Sequence, residues 1–293
     1  MFRKIQTLQK GLQKVQHIQG DVERLRYALG CLEADRLSKG EAVREFRVFS
    51  QWGEDGIIQW LIKNLPIDHH TFIEFGVQDY TESNTRFLLM HDNWEGLVID
   101  GNKENIDYIR QDEIYWRYTL NAVHAFITTE NINQIFLNHD FQGHIGLLSI
   151  DIDGNDYWIW KAIDSIQPDI VICEYNHRYG QEKAVTIPYD AAFVRQKAHF
   201  SCIYYGASIQ ALVHLADRKG YSLVAGNSNG NNIFFVRNEL LNDVVTPRDV
   251  TECFVQGKFR ESRDVNGKLA FLNIQEEIEL ISTLPLVDVS TDF

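Results

Sequence analysis

Apolar residues along the chain follow two regimes. Over the first 37 or so residues, Ile5, Leu8, Leu12, Val15, Ile18, Val22, Leu25, Leu29 and Leu32 recur every three or four positions among Gln, Lys, Arg and Glu. That is the period of a helix with one narrow apolar seam. The steps run 3, 4, 3, 3, 4, 3, 4, 3, with a short step before Ile18 of the kind a stammer produces. Gly11, Gly20 and Gly30 each weaken the helix by about 1 kcal/mol relative to Ala. A seam this narrow needs a partner. The spacing predicts a coiled-coil segment over residues 1–40 that joins copies of the chain into a homo-oligomer, the alternative being a lone helix folded back on its own domain.

From about residue 45 the pattern changes to short apolar runs alternating with amphipathic stretches, as parallel strands linked by crossover helices require. The runs are TFIEFG, EGLVID, YTLNAV, IGLLSID and DIVICEY, each ending in a Gly, Asp, Glu, Asn or neighbouring polar group. GEDGIIQWLIKNL precedes the first, and NTRFLLMHD, KENIDYIRQD and NDYWIWKAIDSI read as helices between later ones. After an irregular stretch, residues 177–205, come the helix SIQALVHLADRKG and the hairpin YSLVAGN–NNIFFVR. The expected fold is α/β and Rossmann-like: a mostly parallel seven-stranded sheet with a terminal antiparallel hairpin over 45–240, followed by a tail, 241–293, packing on the domain.

Composition narrows the function classes. The chain has 293 residues, 44% hydrophobic and 24% charged, an ordinary globular balance. Its 28 basic against 41 acidic residues leave a net charge of −13, a field that repels nucleic-acid phosphate and anionic lipid. Cys31, Cys173, Cys202 and Cys253 are scattered with no CxxC, which suits a reducing cytoplasm. No apolar run approaches the roughly 18 residues of a membrane span, and MFRKIQTLQK lacks a signal-peptide core, so a cytoplasmic protein is expected.

In open parallel sheets ligands bind beyond the carboxyl ends of the strands, so the residues ending each run are the candidates for chemistry. The first run ends Glu74-Phe75-Gly76-Val77-Gln78-Asp79, followed by Asn84 at the head of the next helix. Gly76 permits close approach of a ligand, and Glu74 is placed to bond its polar atoms. A dinucleotide loop needs further glycines where Gln78 and Tyr80 stand, and no GK[ST] is present, so phosphate binding is disfavoured. Asp100, ending the second run, is placed for two ribose hydroxyls, and Asn121 flanks the base. SIDIDGND sets Asp151, Asp153 and Asp156 within six residues, and CEYNH adds Glu174, Asn176 and His177 on the next strand. Carboxylates so dense repel one another unless cations neutralise them, and oxygen donors select Mg²⁺ or Mn²⁺. The alternative is a set of helix caps. His177, beside the acids, is a candidate general base.

FSQWGEDGIIQWL, FIEFGVQDYTESNT, NWEGLVIDGN, SIDIDGNDYWIWKAI, ICEYN and GYSLVAGNSNGNNIFFV together resemble the FkbM-like branch of the S-adenosylmethionine-dependent class I methyltransferases, over residues 48–237. The resemblance implies O-methylation of a hydroxyl on a nucleotide-linked or glycan-bound sugar in surface-polysaccharide biosynthesis. It implies S-adenosylmethionine held by Glu74, Gly76 and Asp100 and a divalent cation held by Asp151 or Asp153 and by Glu174 with Asn176; Asp79, Asn84 and Asn121 are the further strand-end candidates for the cofactor, and His177 or Asp153 is expected to remove the proton. The usual GxGxG is here GVQDY. Residues 177–205, with Arg178, Lys183, Arg195, Lys197, His199, Tyr204 and Tyr205, read as an acceptor-binding insertion suited to a phosphorylated sugar. Two rival classes remain: a nucleotide-dependent oxidoreductase on a related sheet, and a non-catalytic methyltransferase-like scaffold.

Overall fold

The computed structural model describes the backbone of residues 2–291 and the side chains of residue 18 and of 20 onward. The chain opens with a single helix, α1 (Phe2–Arg36), and α2 (Glu54–Asn64) leads into the sheet. Strands β1 (Thr71–Phe75), β2 (Glu95–Asp100), β3 (Leu120–His124), β4 (Gly143–Ile150) and β5 (Ile166–Glu174) alternate with α3 (Arg86–His91), α4 (Lys103–Gln111), α5 (Glu113–Arg117), α6 (Ile132–Asn138) and α7 (Asp156–Ala162). The two-residue β6 (Val185–Thr186) and the turn α8 (Arg195–Ala198) lie in the excursion before α9 (Ile209–Lys219), β7 (Tyr221–Gly226) and β8 (Asn232–Arg237). The C-terminal segment carries α10 (Val250–Cys253), α11 (Ile274–Ile281) and β9 (Val287–Asp288), which pairs back onto β6.

The main sheet has the order β3-β2-β1-β4-β5-β8-β7, with β8 alone antiparallel to its neighbours. This is the mostly parallel seven-stranded α/β sheet with a closing hairpin that the apolar runs predict. The chain leaves β1 toward β2 and β3 and then returns to β4 on the other side, so the strand order reverses between β1 and β4.

Successive strand residues enter two different cores. Ile73, Leu97, Leu148 and Val171 join a layer with α6, α7 and α9, while Phe72, Val98, Leu147 and Ile170 join α2, α3 and α4 on the other face. Burial on both faces is why these runs are continuously apolar and not alternating. Each such side chain, fully withdrawn from water, contributes about 1.5–3 kcal/mol. Helix ends follow their sequence signals: Asn102 Oδ1 accepts from Glu104 N, Ser208 caps α9, and Gly220 at φ +84 terminates it. No helix among the described residues is long and apolar enough to cross a membrane.

Ahead of β1, one buried carboxylate organises the FSQWGEDG stretch. Asp55 Oδ2 accepts from the backbone of Val48, Phe49 and Ser50 and from the Ser50 hydroxyl, at 2.7–2.9 Å. Its Oδ1 is buried without a partner, and burial lifts the group from its ordinary 3.8 to about 6 despite four hydrogen bonds that pull it down. A folded-state pKa above the unfolded one gives stability that is complete below about pH 4 and lost as the pH climbs through about 6. Acidification from pH 7 to 5 is therefore expected to raise the unfolding free energy. Asp55→Asn removes Asp55's share of that gain, about 1.3 kcal/mol between the two pH values for a shift from 3.8 to about 6, as urea titrations at pH 7 and pH 5 will read. An undiminished pH gain in the variant contradicts the assignment.

Candidate functional site

At the reversal between β1 and β4, two loops meet backbone against backbone. Gly76 follows β1 at φ +69, and a Cβ there would stand 1.8 Å from the carbonyl oxygen of Asp151, just past β4. Only glycine fits. Gln78 and Tyr80, in the same loop, also have positive φ, +49° and +64°. The GVQDY loop therefore keeps left-handed backbone at all three alternate positions, two of them without glycine. Tyr80 is held there by a fully buried ring whose hydroxyl lies 2.9 Å from Thr85 Oγ1, and Gln78 by its amide, which donates to Asp100 Oδ2 at 2.8 Å.

A cavity of about 900 Å³ opens beyond the carboxyl ends of β1 to β5. That lies at the upper end of the range for small-molecule sites. Gly76, Gln78, Asp100, Asn102, Asn105 and Phe126 line one part, and Asp151, Asp153 and Glu174 another. Asp100 also accepts from Asn102 N (2.7 Å) and Asn105 Nδ2 (3.1 Å), which fixes its rotamer and leaves about one of a carboxylate's four acceptor positions free. Phe126, about half exposed just after β3, presents a flat apolar face beside it.

The expected site residues divide by strand geometry. Gly76, Asp100, Asp151, Asp153 and Glu174 line the cavity; Glu74, Asp79, Asn84, Asn121, Asn176 and His177 do not. Glu74 alternates with Phe75 and points to the α3 layer, where its oxygens accept from Ser83 Oγ, Asn84 N, Thr85 N and Thr85 Oγ1. It caps the loop before α3, and Asn84 bonds Ser149 beside it at 3.1 Å. Asp79 closes a local turn onto Thr81. Asn121 is exposed near the start of the edge strand β3 and not at its end. Asp156 is a cap as well, accepting from Ile152 N and Gly154 N, with burial lifting it to about 6.

Asn176 is spent on backbone: Nδ2 donates to Ile203 O and Tyr205 O at 3.0 Å, and Oδ1 accepts from Arg178 N. It pins the 177–205 excursion to β5 and has no acceptor aimed at the acids. His177 is buried, with Nδ1 2.5 Å from Gln256 Nε2 and its ring edge-on to Phe259. Burial and then Arg178 push it down to about 3, too weak a base to hold a proton near neutral pH.

Asp151, Asp153 and Glu174 each offer an oxygen within 4.8 Å of the others. Asp153 sits at φ +56, and its side chain is half exposed to the cavity. Arg195 is the basic group on this wall. Its guanidinium reaches Asp153 (2.5 Å) and Glu261 (2.6 Å) and stacks 3.8 Å over the Tyr205 ring. Arg178 is buried against Glu277 (2.7 Å) and Glu261 (3.3 Å). Among the described residues neither Asp151 nor Glu174 has an ion pair, Arg195 acting on both only from a distance, and Glu174 Oε2 has no hydrogen-bond partner. Both are raised well above the ordinary carboxylate range, first by burial and then by the neighbouring carboxylates. Such a pair takes up positive charge, as a proton or as a metal ion. Oxygen donors alone suit Mg²⁺ or Mn²⁺, so the residues fit the ion that the acidic pattern predicts.

Several cavity residues escape sequence reasoning. Phe126 lies in no motif, and Trp52, though inside FSQWGEDGIIQWL, has nothing in its local pattern that marks it as facing a cavity. Phe259 and Glu261 come from the C-terminal segment, far from β5 in sequence, and only the fold of the tail brings them in.

No family model matches the chain, and no curated protein matches it. Among solved structures, it is similar to the N-terminal domain of EvdMO1 with SAH bound, at 12% identity and a TM-score of 0.42, over 75% of this chain and 96% of that one. It is also similar to the CurJ carbon methyltransferase (11%, TM-score 0.40, 63% and 52%) and to an O-methyltransferase from Bacillus cereus in complex with SAH (12%, TM-score 0.34, 57% and 74%).

The loop geometry separates two substitutions. Gly76→Ala forces the β1 and β4 loops apart and strains φ, an expected loss of about 3 kcal/mol. Gln78→Gly, exposed and already left-handed, leaves stability within about 1 kcal/mol of wild type because relief of strain offsets the added chain entropy. Urea midpoints of the two variants check both; equal losses contradict the loop assignment.

Proposed function

We propose that the chain is an S-adenosylmethionine-dependent O-methyltransferase acting on a sugar hydroxyl, assisted by a divalent cation, as the FkbM-like resemblance of its motifs implies. The observation that carries this reading is a single cavity spanning the strand-order reversal, with Asp100 and Phe126 at one part and three carboxylates at another. In this reading Asp100 accepts from one ribose hydroxyl through its remaining acceptor position, and Phe126 packs on the adenine face. The amide of Gln78, which a diphosphate loop would turn toward phosphate, already donates to Asp100, which argues against the oxidoreductase alternative.

Asp151 and Glu174 hold the cation, with Asp153 beside them. A divalent ion there supplies Lewis acidity that makes a sugar hydroxyl easier to deprotonate. Asp153, open to the cavity and oriented by Arg195, takes the hydroxyl proton in place of His177. Trp52, Phe193 and Phe259 give the acceptor flat apolar walls, and the half-enclosed space orients it against the methyl group.

The same lining chooses between the two acceptor classes. Among the described residues around the cavity the one basic side chain is Arg195, and both of its arms are held by carboxylates. A diphosphate entering here meets Asp151, Asp153, Glu174 and Glu261. The reading therefore favours an uncharged, glycan-bound sugar over a nucleotide-linked one.

Calorimetry with purified protein is expected to show S-adenosylmethionine binding that Asp100→Ala weakens at least tenfold, about 1.4 kcal/mol. Absence of binding by the wild type overturns the proposal. Methyl transfer is expected to stop with chelator and return with Mn²⁺ or Mg²⁺; activity indifferent to chelator overturns the role of the cation while leaving methyl transfer intact.

A further inference from the structure

The described part of α1 has two opposite faces. Tyr27, Gly30, Cys31 and Ala34 lie against the domain: the Tyr27 ring centroid is 6.1 Å from that of Phe87, Cys31 Sγ is 3.4 Å from His91 Nδ1, and Ala34 is buried. A Cβ on Gly30 would stand 2.3 Å from Val48, so glycine here is what lets the helix approach. Glu23 adds an ion pair to Arg86 at 2.8 Å. At 100° per residue these positions cluster on one side of the helix.

Ile18, Val22, Leu25, Leu29 and Leu32 form the row on the other side and are 61%, 49%, 65%, 63% and 55% exposed. The seam is thus not the surface by which the helix docks on its own domain. Contiguous exposed apolar side chains of this size mark an interaction surface. In sequence Ile5, Leu8, Leu12 and Val15 continue the spacing, though their side chains lie outside the described residues. Five such side chains in one row already exceed what a single chain ordinarily leaves to water, and the sequence carries the same spacing back to Ile5.

We infer that this seam pairs with the same seam of a second copy, and that the two helices run antiparallel. A three-four apolar repeat fits a helix carrying the same repeat. Charge sets the direction. Residues 1–17 carry Arg3, Lys4, Lys10 and Lys14 and no acid, whereas residues 18–36 carry Asp21, Glu23, Glu33 and Asp35 among three arginines. Parallel pairing sets four cations beside four. Antiparallel pairing sets them instead beside the half that holds Asp21, Glu33 and Asp35, Glu23 being turned to Arg86 on the domain side. It also puts the two catalytic domains at opposite ends of the rod.

Sedimentation of the full chain at micromolar concentration is expected to give twice the 34.0 kDa of one chain. Leu25→Lys with Leu29→Lys, both exposed, is expected to give the single-chain mass with an unchanged unfolding temperature of the domain. A wild-type mass of one chain overturns the pairing, including the outcome in which the lone chain instead binds anionic phosphatidylserine vesicles. So does a mass of three or more chains, or a double variant that stays paired. For direction, Leu8→Cys and Leu29→Cys in a Cys31→Ser background are oxidised separately and mixed. Antiparallel helices give a cross-linked product only in the mixture; cross-links in each variant alone overturn the orientation.

Discussion

The contact between Gly76 and the Asp151 carbonyl is the constraint from which the site follows. Two strands that are neighbours in the sheet send their chains in opposite directions, and the loops leaving them can share one cavity only if nothing stands between the backbones. With a bare Cα at that point, the loop carrying Gln78 swings toward Asp100 while the loop carrying Asp151 and Asp153 swings toward Glu174. The left-handed backbone at Gln78 and Tyr80 completes the turn. Its cost, of order 1 kcal/mol or more per residue, is offset by the buried Tyr80 ring and by the amide bond to Asp100.

Charge is the second constraint, and it runs in the opposite sense. Asp151, Asp153, Glu174 and Glu261 gather around a single guanidinium, so the wall holds more negative charge than its own residues balance. Glu174 Oε2 is buried without a hydrogen-bond partner and, unlike Asp55 Oδ1, lies among other carboxylates on a cavity wall. Arg178, by contrast, is ion-paired with Glu277 and Glu261 and bonded to Asn176, and it locks the C-terminal segment over the site. Of the two arginines in the 177–205 excursion, one closes the structure and the other fixes Asp153 on the cavity wall.

How much of this was readable from the residues depends on the range of the interaction concerned. The strands were readable because burial on both faces imposes continuous apolar runs, and the strand-end acids Asp100, Asp151, Asp153 and Glu174 were readable because the fold class dictates where chains turn. Glu74 misled because a strand-end acid and a strand-borne acid one residue earlier look alike in sequence, whereas strand alternation sends them to opposite layers. His177 and Asn176 misled because proximity in sequence to Glu174 does not reveal that a 3₁₀ turn buries both. Phe259 and Glu261 were invisible for a different reason: their place is set by long-range pairing of the tail, β9 on β6 and Glu277 on Arg178, for which no local pattern exists.

That asymmetry divides the cavity into two kinds of construction. The part around Asp100 is held by backbone hydrogen bonds and strand ends, and its shape tolerates replacement of glycine by Gln78 or Tyr80 as long as the dihedral angles persist. The part around Glu174 is bounded by side chains from the 177–205 excursion and from the C-terminal segment, two loops that carry no strand of the main sheet. Loops on a rigid scaffold change at little cost to the core. A cavity built this way can change one half of its lining without disturbing the other. What limits that variation here is Arg195, because any replacement of the loop that loses it leaves Asp153 and Glu261 facing each other without a cation.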